Sequence, residues 1–261
     1  STLHYKLSNG SPNAALSFEK ASIALAFAQN IFIPNPSADK CTSGSDIITS
    51  DKVVALVHFG RSGTGLLHSL IDGHQEVSSL PSIYFSEYFD QSIWAKIVEG
   101  GWYKIIDNFI AMYEVLFDAS SPSPVPSKSG KRIYNLGRKE GMTSLGINRN
   151  EVLRVDKSCF KKELTLLMRK YDGLDSSIFF RLVNLAYNKA INDYNEKALI
   201  FYHIHNPDDH AMLNFVKSVP EAEFILMVRD PIQSCESWIK EHFKKNNYFA
   251  ISSNIIAMLF E

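Results

Sequence analysis

Cysteine is scarce in this chain: three in 261 residues, Cys41, Cys159 and Cys235, set far apart. They match neither the spacing of a zinc site nor the density of a disulfide-stapled scaffold, so a reducing compartment is favoured and the cytoplasm is the expected location. Long apolar runs are missing as well. No stretch approaches the roughly 20 apolar residues that span a bilayer, and the residues from Ser1 onward do not resemble a signal peptide. A start at serine still leaves room for a targeting segment removed earlier. Charge of one sign is also absent, since 27 Lys and Arg stand against 28 Asp and Glu for a formal net charge of -1. That balance argues against nucleic-acid binding through an overall positive field and leaves a local basic pocket open. No internal repeat is visible. With 45% apolar and 21% charged residues, the chain has the composition of a folded protein with one sizeable core.

What stands out is a short glycine-rich turn, Gly60-Arg61-Ser62-Gly63-Thr64-Gly65. It follows the apolar, β-branched run Val53–Phe59, which is too short for an ordinary helix and reads as a buried strand. Leu66-Leu67-His68-Ser69-Leu70-Ile71 then reads as the start of a helix. A strand that runs into a glycine turn and then a helix gathers unpaired backbone N–H groups at the positive end of a helix dipole. This is an anion cradle. Arg61 adds a fixed charge, and Ser62 and Thr64 add hydroxyl donors.

Along the rest of the chain, 14–29 carries the pattern of an amphipathic helix, and the Pro, Gly and Ser residues after it mark a connection. Val77-Ser78-Ser79-Leu80 reads as a second extended segment, halted by Pro81. Two helices are expected between Phe85 and Phe117, broken at Gly100-Gly101. The Pro- and Ser-rich stretch 120–130 cannot be regular helix, because each proline lacks a donor and restricts its neighbour. Two further helices are expected, Cys159–Tyr171 and Ser176 to about Asn195, the second capped by Asp175. The final third alternates: strand Ala198–His205, helix Asp208–Val219, strand Glu223–Val228, then a helix opened by Pro231. Strand, helix, strand, helix predicts an α/β fold with a mostly parallel sheet covered by helices. Residues 1–50 are read as a helical and irregular lead segment. Residues 51–261 are read as one domain with a helical insertion over about 90–195.

Ligands of open parallel sheets collect beyond the carboxyl ends of the strands, and a second anion site is expected there. Arg229 ends the strand begun at Glu223, and Ser237 stands about two turns along the next helix. An arginine fork with a serine hydroxyl suits a phosphate. The plainer reading pairs Arg229 with Asp230 and leaves Ser237 an ordinary helix residue.

Together, Arg61-Ser62-Gly63-Thr64-Gly65 behind a strand, and Arg229 with Ser237 behind a later one, resemble the sulfotransferases that use 3'-phosphoadenosine-5'-phosphosulfate. The likeness covers roughly residues 51–85 and 197–243. It implies a three-layer α/β fold with a P-loop-like turn. Arg61, Ser62, Gly63, Thr64 and Gly65 would hold the 5'-phosphosulfate, and Arg229 and Ser237 the 3'-phosphate. The implied reaction is in-line transfer of a sulfuryl group to an acceptor hydroxyl, without a metal. Arg61 would face the charge that develops on the leaving group. For the base, the resemblance offers two residues. His205 is similar to the strand-end histidine of the cytosolic small-molecule enzymes, with His203 where those enzymes have a lysine. Glu87 stands where carbohydrate sulfotransferases place a catalytic glutamate. His58 is expected to be satisfied core packing, and His68, His74, His210 and His242 make no obvious metal set.

The acceptor is left open among small molecule, lipid, polyketide and carbohydrate. Phe85, Tyr88, Trp94, Trp102 and Tyr103 suit either an acceptor cleft or core. The apolar tail Ile255–Glu261 would prefer burial, so an oligomer or a covering partner segment is open too. Two other functions compete. One is a kinase-like phosphotransferase, disfavoured because the turn lacks the lysine of a Walker loop. The other is a nucleotide-binding scaffold without activity.

Overall fold

Val53, Ala55 and Leu56 are fully buried, and Val54 and Val57 nearly so. A strand that is apolar on both faces must lie inside a covered sheet, and this one does. The computed structural model describes residues 32–36, 52–58, 62–81, 86–121, 142–205 and 209–243. The helix expected over 14–29, most of the 120–130 stretch and the tail after 243 lie outside the described residues. The central sheet has four strands: β2 (Lys52–His58), β3 (Val77–Ser79), β5 (Leu199–His205) and β6 (Glu223–Met227). Their order is β3-β5-β2-β6, and all neighbouring pairs are parallel. A separate two-stranded ribbon pairs β1 (Ile33–Pro34) with β4 (Gly173–Leu174), antiparallel. It was not foreseen, since two-residue strands carry no period.

Seven helices accompany these strands among the described residues: α1 (Thr64–Ile71), α2 (Gln91–Ile97), α3 (Ile105–Met112), α4 (Lys157–Met168), α5 (Ser176–Ala190), α6 (Asp209–Ser218) and α7 (Pro231–Phe243). Aspartates start several of them. Asp175 Oδ1 accepts from the Ile178 amide at 2.8 Å, as expected from sequence, and Asp156 Oδ1 does the same for Ser158 and Cys159. The Asp156 cap draws α4 two residues earlier than its expected start. Helix α5 stops at Ala190, short of the expected Asn195, because Asn192 turns left-handed at φ 63°. Asparagine is among the few residues that accept this conformation, and it ends helices there. Gly100 and Gly101, at φ 78° and 77°, separate α2 from α3.

The connection β2–α1–β3 passes over β5, whereas β5–α6–β6 passes back over β2. Right-handed crossovers in opposite directions put their helices on opposite faces of the sheet, and the packing agrees. Val53, Ala55 and Val57 join Ile200, Tyr202, Ile204 and Phe215 of α6 in the large core. The alternate residues Val54, Leu56 and Phe201 pack with Leu67 and Ile71 of α1. Side chains alternate with period two, so one strand serves both clusters.

The large core is aromatic where α3, α4 and α5 meet. Phe109 is fully buried, with ring centroids 5.1 Å from Tyr113, 5.7 Å from Phe179 and 6.1 Å from Phe160. Tyr187 spans the same region and donates its hydroxyl to Leu116 O at 2.6 Å. At the amino edge of the sheet, Lys197 Nζ donates to Gln75 O at 2.9 Å and to Asp193 Oδ2 at 2.5 Å. This ties the entry of β5 to the turn before β3. No helix among the described residues is long and apolar enough to cross a membrane. Phe109→Ala should cost about 3–5 kcal/mol in urea unfolding. A loss below about 1 kcal/mol would contradict the packing described.

Candidate functional site

Parallel register brings three strand ends level. His58, last in β2, lies opposite His205, last in β5, on one side and Met227, last in β6, on the other. The chain leaves all three at one rim, so the glycine turn after β2 and Arg229 after β6 emerge from neighbouring strands. They also touch. A Cβ built on Gly63 would lie 3.5 Å from Met227 Cε, which places the turn against the end of β6, two residues before Arg229.

Gly63 is the N-cap of α1, with φ 94° and ψ 9°, and its carbonyl accepts from the Leu66 and Leu67 amides at 3.0 and 3.4 Å. The left-handed conformation explains glycine at this position. Ser62 and Thr64 flank it and are both buried, while Gly65 is exposed in the first turn. First-turn amides have no carbonyl one turn earlier to bond. Helix α7 starts at the same rim. Asp230 Oδ1 accepts from the Gln233 amide at 3.0 Å, so Asp230 acts as a cap. Arg229 is exposed, and its Nε donates to Gln233 Oε1 at 3.4 Å. Ser234 is buried on α7, and Ser237, one turn further, is half-buried.

Arg61 lies outside the described residues, as do the side chains of Glu87 and His205. The backbone puts His205 at the rim and Glu87 in the 3-10 turn Ser86–Phe89 that follows β3. Two aromatic candidates for an acceptor wall belong to the core instead. Tyr88 is fully buried and donates its hydroxyl to Ser176 O at 2.7 Å. Burial, with lesser effects of Asp175 and Tyr202, pushes its ionisation well above the usual phenol range. Trp94 is buried between Tyr88 and Phe179. Trp102 packs partly against the same core, whereas Tyr103 is exposed.

The sequence reading missed a connected file of histidines. His203 of β5 is 3% exposed and lies between His58 of β2, fully buried, and His68 of α1. His68 Nδ1 and His203 Nε2 are 2.7 Å apart, and His203 Nδ1 and His58 Nε2 are 3.4 Å apart. His58 is therefore core, as expected, and also part of a polar chain. Burial lowers the basicity of His68, and Asp72 opposes that effect in part. The signal in sequence was period two, which puts His58 on the face of Leu56 and His203 on that of Phe201. Only the β2–β5 pairing makes those faces one.

Comparison with family models, with curated proteins and with solved structures found no match. Among the described residues no group of three His, Cys, Asp or Glu is placed to hold a metal ion. In physical terms the rim is a meeting of two helix N-termini, buried hydroxyls and an exposed arginine. Such an edge suits an extended anion.

Two measurements test this geometry. Gly63→Ala should lose about 1–2 kcal/mol in denaturant unfolding, because alanine resists the left-handed conformation even where space exists. Gly65→Ala, in the helix with nothing within 4 Å of its Cβ, should gain about 0.5–1 kcal/mol. For His68, a folded-state affinity for protons below that of the unfolded chain means that acid favours unfolding. Stability should fall as pH drops through about 6.5, the ordinary histidine value. His68→Gln should flatten that limb in a series of urea melts.

Proposed function

We propose that this protein transfers a sulfuryl group from 3'-phosphoadenosine-5'-phosphosulfate to an acceptor hydroxyl. The observation that carries the reading is the closeness of Gly63 to Met227 at the end of β6. It supports bringing two motifs far apart in sequence to one rim, where the proposal has a single nucleotide with phosphate at both ends held between them. The alternating crossovers, with α1 and α6 on opposite faces, support a three-layer, P-loop-like arrangement.

The residues present fit such a donor. The left-handed Gly63 opens α1 so that its first-turn amides face the rim, with the Ser62 and Thr64 hydroxyls and Arg61 as further donors to the 5'-phosphosulfate. Arg229, with Ser237 on α7, suits the 3'-phosphate, which distinguishes this donor from a nucleotide with phosphate at one end only. The bound donor supplies the activated sulfuryl group. The protein holds the two ends in line, compensates charge on the leaving phosphate and accepts the hydroxyl proton. His205, level with His58 at the rim, or Glu87, after β3, is the proposed base. The acceptor is a hydroxyl-bearing small molecule, lipid, polyketide or carbohydrate. A metal-dependent phosphotransferase is less well supported, since Asp230, the aspartate a metal would use, is engaged as the cap of α7.

Isothermal titration separates these readings. Adenosine 3',5'-bisphosphate should bind more tightly than adenosine 5'-monophosphate. Arg229→Ala should remove about 1.5–3 kcal/mol, or roughly ten- to 150-fold, of that preference while leaving the unfolding transition in place. Equal affinity for the two nucleotides would refute the proposal, and magnesium-dependent ATP binding in its place would support phosphoryl transfer.

A further inference from the structure

Sulfuryl transfer as outlined leaves His58, His203 and His68 unused, the first two buried and the third half-buried. Polar rings placed in an apolar layer require partners. Among the described residues these take one another, beside a layer of Leu56, Phe201, Leu67 and Ile71. The file has a direction. It begins at His58, the last residue of β2 at the rim, crosses β5 at His203 and ends at His68, which is partly exposed on α1.

A neutral imidazole has one donor nitrogen and one acceptor nitrogen. Both ring nitrogens of His203 are engaged, one with each neighbour, so the tautomer of each ring fixes that of the next. Two states follow. In one, His58 Nε2–H donates to His203 Nδ1, and His203 Nε2–H donates to His68 Nδ1. In the other, every proton has moved across its hydrogen bond. Passing between the states takes one proton in at one end and puts one out at the other.

We propose that His58, His203 and His68 form a proton conduit between the rim and the solvent beside α1. The proton's source, an acceptor hydroxyl, rests on the sulfuryl-transfer reading, whereas the conduit itself does not. In that reaction the hydroxyl O–H bond breaks as its oxygen bonds to sulfur, and the bond from sulfur to the leaving phosphate oxygen breaks. The base at the rim takes the proton and passes it to His58 Nδ1. His58 Nε2–H moves to His203 Nδ1, His203 Nε2–H moves to His68 Nδ1, and His68 Nε2–H leaves to water. A ring that turns about Cβ–Cγ keeps its proton on the same nitrogen, so the first state returns by the reverse passage: a proton enters at His68 Nε2 and one leaves from His58 Nδ1 to water at the rim once product has gone.

Among the described residues, few charged and titratable groups lie around the file. Asp72, the residue just past α1, acts on His68 and favours its cation. His205 on β5 lies opposite His58 in the register. β3 contributes only Val77, Ser78 and Ser79. At the far end of β2, Lys52 is paired with Glu223 of β6. Arg229 lies beyond the end of β6 and disfavours a second positive charge at the rim.

The test is nitrogen NMR of the whole protein with labelled histidine, between about pH 5 and 8. The ring nitrogens of His58 and His203 should shift with the same midpoint as those of His68, since a linked set titrates as a unit. In His203→Gln, which keeps a donor and an acceptor but cannot pass a proton, His58 should lose that response. If His58 and His203 stay unchanged in the wild-type protein while His68 titrates alone, the conduit is overturned, whatever the variant does. A second arm uses turnover. His203→Gln should keep its affinity for adenosine 3',5'-bisphosphate, lose about tenfold or more in kcat, and regain rate with added imidazole. Wild-type kcat and pH profile in this variant would also overturn the conduit. Absence of bisphosphate binding by the wild-type protein would instead remove the transfer reading, with the NMR result still deciding the conduit.

Discussion

Strand β2 is paired on both edges and covered on both faces, and nearly everything else follows from that burial. Its backbone donors and acceptors have no water to turn to, so β5 and β6 must supply their partners. Those strands come from the last third of the chain, while β2 comes from its first quarter. The sheet therefore closes only when distant segments meet in one register. That register sets His58, His205 and Met227 level, and with them the turn after β2 and the arginine after β6.

The same burial divides the helices. Opposite crossovers send α1 to one face and α6 to the other, and the two faces differ in character. The α6 face continues into a large aromatic core with α2 to α5, in which Phe109, Phe160 and Phe179 interlock. The α1 face is thinner, built on Val54, Leu56 and Phe201, and it holds the histidine file. Rigidity thus comes from one side of the sheet and polar chemistry from the other. Under the proposed function the rim gains from this division, since strand ends held by a packed core keep their donors in place.

Charge at the rim is local. The chain as a whole is close to neutral, so the proposed anion would be drawn there by groups at the rim and not by an overall field. Under the proposed function, two helix starts, the hydroxyls of Ser62, Thr64 and Ser237, and Arg229 would serve, because preorganised donors need no reorganisation when charge arrives. Asp230 contributes indirectly. By capping α7 it fixes the first turn of the helix that carries Ser237, and with it the approach to Arg229.

Much of the fold was legible in local patterns. The β-branched run at 53–57, the alternation of strand and helix after Ala198, the Asp175 cap and the Gly100-Gly101 break each depend on neighbours in sequence, and each appears where expected. So does the start of α7 at Pro231. The ends were less legible: Asp156 and Asn192 moved two helix boundaries through single hydrogen-bonding or dihedral preferences. The ribbon of β1 and β4 left no trace at all. Of the candidate site, sequence supplied the residue types and the strand ends, whereas Tyr88 and Trp94 went to the core because helix packing, not spacing, decides burial. Strand order was beyond local pattern, and it alone made Gly63 a neighbour of Met227 and joined His58, His203 and His68. The sequence determined which segments are strands and helices, since those preferences act over a few residues. The tertiary structure decided which segments lie side by side, because pairing between distant strands depends on the burial of the whole sheet.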